Sequence, residues 1–79
     1  MSREQCRAAR AWLDWTQQEL ARRAGIGIST VRDFEKGERT PIPNNLAAIV
    51  RALETGGIEF IDEEGKPVGI RLSREAHGS

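Results

Sequence analysis

Three residues, Gly25-Ile26-Gly27, separate two runs of helical character near the middle of the chain. The run before them carries Leu20, Ala21 and Ala24 on one side and Arg22 and Arg23 on the other. The run after them, Ile28 to Lys36, turns Val31, Phe34 and part of Glu35 inward and ends at Gly37. So short a connection forces the two helices into a tight corner. Gly25 has to leave the first helix with positive φ, which glycine does without steric cost. Ala21 has to be small because the helices cross closely there. Leu20, Ile26, Val31 and Phe34 then fix the angle. Small helical bundles of many kinds contain such a corner, so the corner by itself leaves function open.

The flanking segments extend the helical reading. Arg3 to Leu13 is rich in Ala and Arg and free of Gly and Pro, which favours helix, with Cys6, Ala9 and Leu13 inward. Asp14-Trp15 breaks that pattern. Thr16-Gln17-Gln18-Glu19 reads as a capping box that starts the next helix: the Thr16 hydroxyl accepts from the Glu19 N–H while the Glu19 carboxylate reaches back. Glu38 to Ile42 is a loop, and Pro43 suits the first position of a fourth helix. Leu46, Ile49, Val50 and Leu53 make its apolar stripe, and Gly56-Gly57 ends it. Beyond residue 57 the period becomes two. Ile58 and Phe60 alternate with Glu59 and Ile61, and Val68, Ile70 and Leu72 alternate with Gly69 and Arg71. With Glu63-Glu64-Gly65-Lys66-Pro67 as the turn between them, these runs predict a β-hairpin. The expected division is a helical domain over 1–57, a hairpin over 58–73 and a frayed tail over 74–79.

Several function classes are excluded. Seventy-nine residues make one small domain. No apolar run approaches the roughly 20 residues of a membrane span, and Met-Ser-Arg-Glu-Gln has no apolar signal core, so the expected location is the cytoplasm. Cys6 is the single cysteine, which rules out an internal disulfide and a cysteine zinc cluster. His77 is the single histidine, and no Ser–His–Asp set, phosphate-binding glycine loop or zinc-protease helix can be assembled. Neither an enzyme nor a metal or cofactor is expected. Trp12 and Trp15 read as core or interface anchors rather than stacking platforms. The net charge of zero is split: residues 1–53 hold nine Lys and Arg against six acids, for +3, and residues 54–79 hold three against six, for −3. A polyanion would face the first part.

The run TQQELARRAGIGISTVRDFEKGER, with Trp15 before it, resembles the helix-turn-helix domains of the Cro/Xre family, to which the phage lambda-type repressors belong. The resemblance covers about residues 3–55. It implies a mainly α fold: a four-to-five-helix lambda repressor-like helix-turn-helix domain, here with a short C-terminal β-hairpin. It also implies a regulator that binds specific double-stranded DNA, with the helix over 28–36 in the major groove and the preceding helix across the backbone.

Site residues follow from place on that helix. Ile28, Ser29, Arg32 and Asp33 lie opposite Val31 and Phe34, where the family has its base readers. Arg32 suits guanine O6 and N7, Ser29 a base or phosphate, Ile28 a thymine methyl, and Asp33 cytosine N4 or a neighbouring side chain. Phosphate contacts are expected from Gln17, Thr30, Lys36, Arg39, Thr40 and Asn44. The family has Arg at position 10, and an Arg10–Glu35 structural ion pair is expected. Ile58, Phe60, Ile70 and Leu72 are expected to join two chains in one sheet, giving a homodimer. The rival expectation is an antitoxin or adaptor that uses the same fold to hold a partner protein, such as a toxin, through the exposed strand edge.

Overall fold

The computed structural model describes residues 1–72; the expected tail, with His77, lies outside them. Four helices precede two strands: α1 (Arg3–Leu13), α2 (Gln17–Ala24), α3 (Ile28–Lys36), α4 (Pro43–Thr55), β1 (Ile58–Glu63) and β2 (Lys66–Leu72). The fold is therefore mainly helical with a C-terminal antiparallel hairpin, as the sequence pattern requires.

Gly25 caps α2 at φ 71°, and its N–H and that of Ile26 return to carbonyls of the last turn, closing the corner. Leu20, Val31, Ile49, Leu53 and Cys6 are wholly buried where the helices meet, and Ala21 is nearly so. The α4 stripe divides. Ile49 and Leu53 enter the core, whereas Leu46 and Val50 are only half-buried, because a chain this short has too little mass to cover a stripe that wide.

Helix starts differ from expectation. The Thr16 hydroxyl does accept from the Glu19 N–H at 3.0 Å, but the Glu19 carboxylate binds Arg22 and Arg23 instead of reaching back. Two guanidinium groups one turn away outcompete a single main-chain donor. The complete capping box stands at α1, where Ser2 and Gln5 exchange both bonds.

The hairpin turn is shorter than predicted. Only Glu64 and Gly65 form it, both at positive φ as in a type I′ turn, and Glu63, Lys66 and Pro67 belong to strands. Ile61 pairs with Gly69 and Asp62 with Pro67, which leaves Val68 as a bulge on β2. The strands pair with each other inside one chain.

The four residues expected to join two chains, Ile58, Phe60, Ile70 and Leu72, differ in how much surface the protomer leaves them. Ile58 is 2% exposed in the protomer's own core, and the other three pack against that core. Phe60, Ile70 and Leu72 are only half-buried, and Ile70 and Leu72 line a surface pocket with the exposed Trp12. A hairpin that is marginal alone has to cover its apolar face, and the helices of its own chain do so in part. Gln5, buried on α1, secures it further: its amide donates to the Ile61 carbonyl at 3.2 Å and the Gly69 carbonyl at 2.8 Å. Trp15 packs against the core beneath the Arg23 guanidinium, 4.2 Å from the ring centre, while Trp12 stays exposed.

Candidate nucleic-acid interface

α3 has two sharply different sides. Val31, Phe34 and Glu35 are buried, and Ile28, Ser29, Arg32 and Lys36 are exposed. Thr30 and Asp33 are half-buried at the edges of the exposed row. Residues 28, 29, 32 and 36 fall on one helical face, so the exposed row is continuous. Its first turn has no acid, and its N-cap, Gly27, has no side chain to bond the first N–H groups. The positive end of the helix dipole is thus left for an external acceptor.

The buried side of α3 is anchored by one carboxylate. Arg10 donates to both Glu35 oxygens, at 3.0 and 2.9 Å, Gln17 donates to one at 3.0 Å, and the Cys6 thiol donates to the other at 3.3 Å. Burial by itself would raise the Glu35 carboxyl, but the hydrogen bonds from Arg10, Gln17 and Cys6 outweigh it and hold the group below its ordinary range. The Cys6 thiol is pushed far up, first by burial and then by the neighbouring carboxylate, so it stays protonated. This brings helices α1, α2 and α3 together at one polar point inside an apolar core.

Gln17 therefore stands differently from expectation. Its amide spends a donor on Glu35 and is half-buried, leaving the second amide hydrogen free to meet a phosphate. The remaining candidates lie on the surface around α3. Lys36 ends the helix, Arg39 and Thr40 stand exposed in the following loop, and Asn44 is exposed in the first turn of α4.

The cations sort into two groups. Arg3 and Arg7 donate to main-chain carbonyls at the end of α3, Arg10 is spent on Glu35, and Arg22 and Arg23 share Glu19. Among the described residues, Arg32, Lys36, Arg39, Arg51 and Lys66 are in no ion pair; Arg32 and Lys36 lie in the exposed row and Arg39 just beyond it. Asp33 and Glu38 beside them are in no ion pair either, so the row offers unpaired cations without a net excess of charge in the segment.

Sequence periodicity missed the roles of Gln5, Arg3 and Arg7. The usable signal was spacing, since Arg3, Arg7 and Arg10 recur at i, i+4 and i+7 and share a helix face. Among the described residues no group of three His, Cys, Asp or Glu could hold a metal ion, and no helix is long and apolar enough to cross a membrane. A family model described as helix-turn-helix matches residues 7–60, which spans α1 to the start of β1. No curated protein matches the chain.

Proposed function

Because the chain belongs to the helix-turn-helix family of Cro/Xre type, a family of DNA-binding regulators, we propose that it is a repressor acting as a homodimer, with α3 in the major groove. The observation that carries this reading is the contrast within α3: one side tied into the core, the other an open row headed by Ile28 and Arg32. A rigid helix with an exposed polar row suits a groove about 12 Å wide.

In the proposed complex Arg32 takes guanine O6 and N7, Ser29 bonds a base or phosphate, Ile28 meets a thymine methyl, and Asp33 accepts from cytosine N4 or steadies Arg32. Thr30, Lys36, Arg39, Thr40, Asn44 and the free hydrogen of the Gln17 amide hold the backbone and set register. Occupying the groove at a promoter excludes other proteins, so the proposed action is repression.

The proposed dimer surface is a groove on α4, with the half-exposed hairpin face of Phe60, Ile70 and Leu72 as the second candidate. The groove is mainly apolar, lined by Pro41, Pro43, Leu46, Ala47 and Val50 together with Thr40, Arg51 and Glu54, and runs along α4. It begins where the loop carrying Arg39 and Thr40 ends, which puts the proposed contact between copies beside the proposed phosphate contacts. A two-fold pair would read half-sites about 34–36 Å apart.

Arg32→Ala tests the reading. Its loss should fall on one base position, by about 1–3 kcal/mol, whereas Lys36→Ala or Arg39→Ala should weaken binding to every sequence alike. Equal loss by Arg32→Ala on selected and random duplexes would contradict the assignment.

A further inference from the structure

The last four carbonyls of a helix have no partner within it. In α3 they belong to Asp33, Phe34, Glu35 and Lys36. The Asp33 carbonyl accepts from the Glu38 N–H at 2.9 Å and the Phe34 carbonyl from the Gly37 N–H at 3.0 Å. The other two are met from α1. Arg7 donates to the Glu35 carbonyl at 2.8 Å, and Arg3 donates to the Lys36 carbonyl at 2.9 Å.

Gly37 makes the second contact feasible. It sits at φ 79°, and the Arg3 guanidinium occupies the space that a Cβ on Gly37 would need. Both guanidinium groups also lie at the negative end of the α3 dipole, where a cation is favoured. Both pair in addition with the Glu4 carboxylate, so their charge is shared between that acid and the helix end.

We propose that Arg3 and Arg7 are positioning residues for DNA reading. They fix the end of α3 and the direction in which residues 37–40 leave it. That sets the Arg32 side chain in the groove relative to Lys36, Arg39 and Thr40 on the phosphates. The inference rests on the DNA-reading role proposed for α3, and it extends the working interface to a helix that touches no base.

The salt dependence of binding separates this role from an ordinary phosphate contact. A residue that neutralises a phosphate lowers the slope of log K against log salt by about 1 when it is removed. Arg3→Ala and Arg7→Ala should leave that slope as in the parent. They should lose roughly tenfold in affinity for the duplex that the parent selects from a random pool, the scale of one charge-assisted hydrogen bond. Affinity for random duplex should hardly change. Arg7→Lys keeps one donor and should recover most of the loss, and unchanged affinity for random duplex is what a folding defect would not show.

A slope lowered by about 1 in Arg3→Ala or Arg7→Ala would make these residues phosphate contacts and overturn the proposal. Equal loss on both duplexes, or no loss, would overturn it as well. Failure of the underlying DNA-reading role looks different, because the parent itself would then select no sequence from the pool.

Discussion

Glu35 concentrates three donors on one buried carboxylate, and its chemistry decides how firmly α3 is held. Glu35→Ala strands Arg10 and should cost about 3–5 kcal/mol by urea denaturation, the range for breaking a buried pair from one side. The depressed carboxyl also predicts a pH dependence. The unfolded chain binds the proton more readily than the folded one, so this stabilisation is complete above the ordinary value of 4.5 and is lost as pH falls through the lower folded value. Glu35→Gln cannot titrate, so its deficit should be large near about pH 7 and should shrink on acidification. Parallel stability curves for parent and variant would refute this. That Arg10 and Glu35 meet was readable from the sequence through the family resemblance, which has Arg at position 10, together with the inward place of Glu35 on its helix. The turning of Gln17 and Gln5 inward was not, since an amide looks the same in a periodicity plot whether it bonds a carboxylate, a carbonyl or water. Only the packed neighbours decide.

Helices were legible at the scale of elements because glycine, proline and apolar spacing agree at each boundary. The hairpin turn was less so. A five-residue polar stretch containing Gly65 resembles a loop, yet Glu64 accepts positive φ and Pro67 fits beside a bulge, so the strands run on. The two glycines that end helices at positive φ, Gly25 and Gly37, give a paired prediction. A Cβ on Gly25 would meet nothing within 4 Å, so Gly25→Ala should cost only the backbone strain of positive φ, about 1–2 kcal/mol. Gly37→Ala carries the same strain and in addition displaces Arg3, so thermal melts should rank it as the more damaging. A Gly25→Ala variant at least as destabilised as Gly37→Ala would show that Arg3 contributes nothing at the end of α3.

For the whole molecule, the division between covered and uncovered apolar surface matters most. The sequence shows that α4 and the hairpin both carry apolar stripes, but it does not show which one the short helical core has room to cover. The core buries Ile58 and half-covers Phe60, Ile70 and Leu72 on the hairpin, and it leaves the α4 groove open. Placing a charge there, as in Val50→Glu, should convert a proposed dimer to monomer in sedimentation and leave the melting of the single domain nearly unchanged. A monomeric parent at micromolar concentration, on and off DNA, would remove the dimer from the account. The unpaired cations on and after α3 make a matching prediction: log K should fall linearly with log salt, and Lys36→Ala should lower the slope by about 1.

The most direct test follows main-chain amide resonances while the labelled protein is titrated with the duplex it selects. The account predicts that perturbations concentrate on Ile28 to Lys36 and on residues 37–40, while the hairpin is silent. Shifts centred on the hairpin or the outer side of α1, with the α3 row unmoved, would contradict it.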